Sequence, residues 1–199
     1  DRLLFKGRYD SGQLLSKLGN IMSTNIELES LSTQILRTLT SEMRISRGAL
    51  VLLEKNAIYA VNSVGFSALP RYSYLELSPF LQAHELLVFD ELGEGEIKQL
   101  MRTLNISVSI SLQVKEEKVG LLLLGEKASG ETYSGEDLKV LEILSAEVAI
   151  AIQNAKSFDQ IKKFNITLSE EIRHATYDLQ EANVRLKKLD QLKDDFVSI

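Results

Sequence analysis

The chain has 199 residues, of which 44% are hydrophobic and 26% charged, and its formal net charge at pH 7 is -5. This is the composition of a globular protein, and the acidic balance argues against nucleic acid as a partner, because contacts with phosphates need clustered Lys and Arg. Cys is absent and His occurs only twice, which excludes disulfides and thiolate chemistry and argues against a His-rich metal site.

The first part of the chain has helical patterns followed by strand patterns. We read residues 1–10 as a short N-terminal lead-in segment and residues 11–155 as one domain. Apolar residues recur at helical spacing through residues 12–23 and 27–43, so we predict two helices there. Residues 48–66 then hold two short apolar runs on either side of the polar "EKN", which predicts a β-hairpin.

The middle of the chain carries shorter elements. Pro79 favours the start of a helix, "ELLVFDEL" favours a short strand, and "EGEIKQLMRTL" favours a short helix. "VGLLLLGEK" is apolar at successive positions, which predicts a strand that is buried on both faces at the centre of a sheet. Helices before and after antiparallel hairpins predict an α+β domain built on one sheet.

Residues 106–114 alternate between apolar and polar side chains and predict a half-buried strand. Ile106 and every second residue after it share the apolar face. Ser107, Ser109 and Ser111 share the other face with Gln113. The three serines either line a polar pocket or face water, and we favour water.

A long helix begins near residue 134. Ser134 is a good N-cap residue, and Asp137 follows it at the spacing of a capping box. Apolar residues between 141 and 155 form a stripe that we expect to close the core of the domain. No helix-breaking residue follows, and the helical pattern continues through residues 156–199.

Residues 156–199 carry a narrow apolar stripe at heptad spacing, with eight Lys or Arg and eight Asp or Glu around it. A helix with so narrow a stripe needs a partner helix, so we predict a parallel homodimer through this segment. The apolar step is too long between Leu168 and Ile172 and too short between Leu189 and Leu192, which interrupts the heptad twice. The predicted interface residues are Ile161, Phe164, Leu168, Ile172, Leu179, Leu186, Leu189 and Phe196.

Two stretches resemble a known family. "VGLLLLGEKASGETYSGEDLKVLEILSAEVAIAIQNA" resembles the C-terminal half of GAF domains in bacterial sensor histidine kinases. "FNITLSEEIRHATYDLQEANVRLKKLDQLKDDFVSI" is similar to the coiled-coil linker and opening turn of the kinase dimerisation domain. In that family such a sequence leads into the helix with the phosphoacceptor His, so we expect a chain cut just before that segment.

The resemblance implies a sheet of five or six antiparallel strands. The first helices and the last helix then lie on one face, and a small-molecule pocket or its remnant lies on the other, under residues 66–105. The parent protein would autophosphorylate a His with ATP and pass the phosphate to a response regulator through its kinase core. For residues 1–199 themselves we expect no catalysis, no metal and no cofactor. We expect a cytoplasmic location, free or as the cytoplasmic part of a membrane-anchored kinase.

Four residues are candidates for contacting a ligand in that pocket, and each also has a simpler interpretation. His84 is a haem or metal ligand or an ordinary loop residue. Tyr72 and Tyr74 stack on a flat ligand or pack beside the sheet. Phe89 begins "FDE", which is similar to residues of cyclic-nucleotide-binding GAF domains, although in that family they are dispersed. His174 lacks the sequence context of a phosphoacceptor, so we interpret it as a solvated linker residue.

Two functions remain open. In the first, the domain senses a signal, such as a small ligand, and relays it through the coiled-coil helix. In the second, the domain is a degenerate GAF domain that takes no ligand and only dimerises. A closed apolar region over the sheet favours the second function, and an open pocket with convergent polar groups favours the first.

Overall fold

A computed structural model describes residues 9–55, 57–66, 73–83 and 86–197 of the chain, with side chains described through residue 194. The chain divides into two compact units, Asp1–Ser157 and Phe158–Ile199. The helices are α1 (Ser11–Thr24), α2 (Leu28–Glu42), α3 (Ser78–Gln82), α4 (Glu96–Leu104) and α5 (Gly135–Val197). The strands are β1 (Gly48–Glu54), β2 (Ala57–Val64), β3 (Leu86–Val88), β4 (Val108–Val114) and β5 (Glu117–Leu124).

The five strands form one antiparallel sheet with the order β2-β1-β5-β4-β3. The predicted hairpin is confirmed as β1 and β2, and the strand predicted to be central, β5, lies between β1 and β4. β1 and β4 are each followed by a residue in the left-handed conformation, Lys55 at φ 47° and Lys115 at φ 56°. The segment "ELLVFDEL" forms β3 and then a 3₁₀ turn at Phe89–Glu91, so the predicted strand is shorter than its apolar run.

One face of the sheet is covered by α1, α2 and the first part of α5, as expected. Side chains of β1, β4 and β5 on this face pack with those helices in a single core. In α5 the predicted stripe is buried: Leu141, Leu144, Val148 and Ile152 each expose 1% or less of their surface. Because the other sheet face is covered as well, successive residues of β1 and β5 are buried, which explains their unbroken apolar sequence.

The starts of α1 and α3 follow from local chemistry. The Asp10 carboxylate accepts a hydrogen bond from the Gln13 backbone N–H at 3.0 Å, which satisfies one of the free donors at the start of α1. Pro79 lies in the first turn of α3, where its missing N–H costs no helical hydrogen bond. The helix predicted from Pro79 is therefore present, although it has only five residues.

Candidate functional site

The sheet face opposite α1, α2 and α5 carries an apolar cluster, here called the sheet-face cluster. Leu77, Phe80, Leu81 and Met101, from in and around α3 and α4, each expose 2% or less of their surface. They pack against Ala49, Val51 and Leu53 of β1 and against Leu121 and Leu123 of β5. The described residues thus cover this face with tightly buried side chains, at the place where the resemblance implied a pocket or its remnant.

The serines of β4 point into this cluster, so the expectation that they face water is wrong for Ser109, which is 1% exposed. Ser109 pairs with Leu123 and Ser111 with Leu121, two members of the sheet-face cluster. Neither buried hydroxyl has a hydrogen-bond partner in the part of the chain that the structure describes. Ile106 also lies in this cluster rather than with Val108, because it precedes the first residue of β4.

Two of the four candidate ligand residues are described, and both are part of the packing. Tyr74 and Phe89 are half-buried and lie against the sheet-face cluster. Two cations lie near the Phe89 ring, with Lys98 Nζ at 5.2 Å and the Arg102 guanidinium carbon at 5.6 Å from its centroid. Tyr72 and His84 lie outside the described residues.

The start of α5 is held by a buried polar cluster. The predicted capping box is present: the Ser134 backbone N–H donates to the Asp137 carboxylate at 2.7 Å, and the Asp137 N–H donates to the Ser134 hydroxyl at 3.2 Å. The same carboxylate forms an ion pair with Lys127, and the two side chains expose only 4% and 14% of their surface. Tyr133 donates a hydrogen bond to the Gly125 carbonyl at 2.6 Å. The turn before α5 is therefore fastened to the end of β5.

The pKa values of Asp137 and of two tyrosines near it, Tyr9 and Tyr133, are shifted in opposite directions. Burial alone would raise the pKa of Asp137, but hydrogen bonds from Lys127 and Ser134 outweigh it and hold that pKa below its usual value. Burial first, and then the negative charge of Asp137, raise the pKa of Tyr133 and of Tyr9. The cluster therefore holds an ionised carboxylate and two neutral phenols at neutral pH.

Within the first unit, α5 is also attached to the tips of both hairpins. Lys156 Nζ donates to the Leu53 carbonyl at 2.6 Å, at the end of β1. The Gln153 side-chain amide donates to the Glu117 carboxylate at 3.1 Å, at the start of β5. These contacts fix the rotation of α5 against the sheet just before the first unit ends.

In the second unit the predicted interface stripe is exposed. The seven predicted residues whose side chains are described expose between 40% and 72% of their surface: Ile161, Phe164, Leu168, Ile172, Leu179, Leu186 and Leu189. The side chain of Phe196 lies outside the described residues. Ile166, Tyr177 and Val184 are also exposed, at positions outside the predicted stripe.

Solved structures with the same architecture match most of the chain. The GAF domain of an Acinetobacter phosphoenolpyruvate-protein phosphotransferase has a TM-score of 0.59 and 12% identity, over 75% of this chain and 97% of that one. The chain has a GAF-like fold. Residues 122 to 287 of a methyl-accepting chemotaxis protein match with a TM-score of 0.57 and 12% identity, over 71% of this chain and 98% of that one. The phycoerythrobilin-bound GAF domain of a cyanobacterial phytochrome matches with a TM-score of 0.54 and 11% identity, over 75% and 98%.

At such identities the shared feature is the fold. No protein-family model matches the sequence, and no curated protein is significantly similar to it. Among the described residues of the GAF-like chain, no group of three or more His, Asp or Glu is arranged to hold a metal ion. None of the described helices combines the length and the apolar character that a membrane span requires.

Sequence reasoning missed the polar residues that the GAF-like fold brings together around the start of α5. Lys127 lies ten residues before Asp137, and no periodicity in the sequence links the two. The only local signal was the capping box, which identified Ser134 and Asp137. The ion pair depends on the path of the loop between β5 and α5, which is a property of the folded chain.

Proposed function

We propose that the chain is the sensory and dimerisation module of a two-component sensor histidine kinase. Its GAF-like domain passes a signal through α5 to a kinase core by way of a parallel coiled coil. The observation that carries the proposal is the apolar stripe of the second unit, which runs from Ile161 to Leu189 in exposed positions. Seven large apolar side chains on one helix face are stable in water only when another helix covers them.

A second copy of the same chain is the partner that fits the stripe best. The charges around it balance, with eight of each sign in residues 156–199, so the segment does not repel itself. Its heptad has a long step at Leu168 to Ile172 and a short step at Leu189 to Leu192. In a parallel dimer in register, each irregular step meets its own copy, whereas an antiparallel dimer would set the long step toward the short one.

The kinase part of the proposal is supported by sequence resemblance. Residues 164–199 are similar to the linker and opening turn of kinase dimerisation domains, and the GAF-like fold occurs in a chemotaxis protein among the structural matches. The kinase core would supply ATP-dependent phosphorylation of a His and transfer to a response regulator. The role of this chain is to set the relative rotation of the two helices that enter that core.

A second candidate function is that of a dimerising spacer without a ligand. It is favoured by the burial of Leu77, Phe80 and Leu81 over the sheet, because side chains at this density leave no room for a ligand on the area they cover. Both functions require the dimer. They differ in whether a small molecule binds elsewhere on the domain.

Sedimentation of two charge-matched variants tests the dimer. Leu179→Asp combined with Leu186→Asp places two carboxylates in the stripe, and Gln180→Asp combined with Gln191→Asp places two carboxylates on the same helix outside it. We expect the unchanged chain and the Gln variant to sediment as dimers at micromolar concentration, and the Leu variant as a monomer. A monomeric unchanged chain, or a Leu variant that remains dimeric, contradicts the proposal.

The relay is tested separately, by joining residues 1–199 to the kinase core of a characterised histidine kinase. Autophosphorylation is measured with labelled ATP and magnesium. We expect the Leu179→Asp, Leu186→Asp pair to reduce labelling strongly and the Gln pair to leave it unchanged. Equal labelling of all three chimeras would mean that the stripe does not control a kinase core.

A further inference from the structure

A crevice of about 360 Å³ lies at one end of the sheet, where β4 begins and β5 ends. Its walls are the turn after α4, the segment after β3 and the loop between β5 and α5. It borders the sheet-face cluster, since Met101 and Ile106 of that cluster and Phe89 beside it also line the crevice. Five charged side chains line it: Arg47, Asp90, Arg102, Glu126 and Glu131. A crevice of this size accommodates a small metabolite.

The walls of the crevice are preformed by backbone hydrogen bonds. The Gly125 N–H donates to the Arg47 carbonyl at 2.9 Å, and the Ser46 N–H donates to the Glu126 carbonyl at 2.9 Å. On the other wall the Phe89 N–H donates to the Ser107 carbonyl at 2.9 Å. The lining side chains are therefore attached to backbone that does not need to rearrange when a ligand enters.

Arg47 has unused hydrogen-bonding capacity at this position. Its Nε is buried and has no hydrogen-bond partner among the described residues, and Arg47 takes part in none of the ion pairs formed between them. Its guanidinium carbon lies 5.8 Å from the centroid of the Phe66 ring, which orients the group. A buried guanidinium N–H without an acceptor is unfavourable, and its preferred acceptor is a carboxylate or phosphate oxygen.

The remaining charges of the crevice decide between those two acceptors. Asp90, Glu126 and Glu131 form no ion pair with any described Lys or Arg. Three carboxylates against two guanidinium groups disfavour a multiply charged phosphate and favour a ligand that also carries a positive charge. Arg102 already forms an ion pair with Glu94 at 3.4 Å, which leaves Arg47 as the cation that can bind a single carboxylate of a ligand.

We propose that this crevice binds a small zwitterion with one carboxylate and one ammonium group, of the α-amino acid class. Arg47 holds the ligand carboxylate, and the acidic side chains of the rim hold the ammonium group. Tyr133, which lines the crevice, immediately precedes the N-cap residue of α5. Use of this binding as the input of the relay rests on the proposed function, whereas the binding itself does not.

Gly125 offers a way to test the role of Arg47 without removing its charge. A Cβ added at Gly125 would lie 2.4 Å from Arg47 Cγ, so Gly125→Ala displaces the arginine side chain. Arg47→Gln removes the guanidinium directly. Arg37→Gln, on the exposed side of α2, removes a cation far from the crevice and is the matched control.

Isothermal titration calorimetry of residues 1–199 with each of the twenty standard amino acids tests the proposal. We expect at least one to bind, and its decarboxylated amine and its N-acetylated form to bind about tenfold more weakly or not at all. Arg47→Gln and Gly125→Ala should each weaken binding by about ten- to hundredfold, as expected for a lost charged hydrogen bond. Arg37→Gln should bind as the unchanged chain does.

Two results overturn the proposal. The first is that no amino acid binds at low millimolar concentration, which would mean that water or the chain itself supplies the hydrogen-bond acceptor for Arg47. The second is binding that persists in Arg47→Gln, which would place the ligand elsewhere. Circular dichroism of each variant verifies the fold. The sedimentation experiment on the stripe is independent of these titrations, so failure of the binding site and failure of the dimer are distinguished.

Discussion

Two stretches of the same helix, α5, differ in how far their apolar side chains are exposed to water. Within Gly135–Ser157, Leu141 and Leu144 are at most 1% exposed, whereas Phe164 and Leu179 in the second unit are 65% and 72% exposed. The residue types and the helical period are alike. The difference is that the first stretch packs in one core with the sheet, α1 and α2, while the second has no such cover among the described residues of its own chain.

This contrast shows that the local sequence pattern determines where the helix forms, whereas the surroundings of the helix determine which of its side chains are buried. Apolar residues at helical spacing were sufficient to predict one uninterrupted helix through both stretches. Burial of those residues depends on what lies opposite them. The first stretch therefore contributes to the fold of the domain, and the second is the stretch that we propose to associate with another chain.

The largest expected effect on stability comes from truncating an apolar side chain in the buried stretch, compared with the same truncation in the exposed stretch. Leu144→Ala should lower the free energy of unfolding by about 3 to 4 kcal/mol, because it leaves a cavity in a packed core. Leu179→Ala should leave the stability of the domain unchanged. Hydrogen exchange of the amides in β1 and β5 measures this quantity, since these central strands exchange on global unfolding. Equal loss of protection in both variants would show that the two stretches are not distinct.

A second, smaller effect concerns the polar cluster that starts the buried stretch. Asp137→Asn should cost about 2 kcal/mol at neutral pH, because Lys127 loses a charged hydrogen-bond partner in a buried position. Ser145, exposed at its hydroxyl on the same helix, provides the control variant Ser145→Ala. Urea unfolding followed by circular dichroism at pH 7 measures both.

The lowered pKa of Asp137 also predicts how the stability of the fold depends on pH. The pKa of Asp137 is lower in the folded chain than its usual value of about 4. The unfolded chain therefore binds more protons as pH falls, and the free energy of unfolding decreases from about pH 5 downward. Asp137→Asn should show a shallower decrease over this range than the unchanged chain. Parallel curves for the two proteins would contradict the assignment.

The smallest effect is expected at the end of the buried stretch. Lys156→Met removes the hydrogen bond to the Leu53 carbonyl and should cost about 1 kcal/mol. Lys162→Met, six residues further along in the exposed stretch, is the control and should cost nothing measurable in the same unfolding experiment. A variant at Lys156 as stable as the control would mean that this contact does not hold α5 against the hairpin.

Much of the fold was predictable because its signals are local. The hairpin of β1 and β2, the central position of β5 and the capping box at Ser134 each follow from neighbouring residues in the sequence. The burial of Ser109 was not predictable in this way. The alternation of residues in β4 shows that the two faces of the strand differ, but it does not show that both faces are covered. A strand between two packed layers hides its polar side as well as its apolar side.

The candidate site was less predictable for the same reason. Tyr74 was chosen as an aromatic residue near the implied pocket and Phe89 as the first residue of "FDE". Both pack beside the sheet-face cluster, and Phe89 also lines the crevice. Arg47 and Glu131, which line the crevice, are more than eighty residues apart in sequence. Their proximity arises from the pairing of the segment after β5 with the segment before β1, which no single stretch of sequence displays.

Disulfide formation by single-Cys variants tests the central claim, the parallel dimer, most directly. The chain contains no Cys, so each variant reports one position only. Under mild oxidation at micromolar concentration, Leu179→Cys, Leu186→Cys and Leu189→Cys should cross-link rapidly, and Gln180→Cys and Gln191→Cys slowly. Identical residues meet along the whole stripe only in a parallel dimer in register. Equal rates at all five positions, or cross-linking at a single position as in an antiparallel pair, would contradict the account.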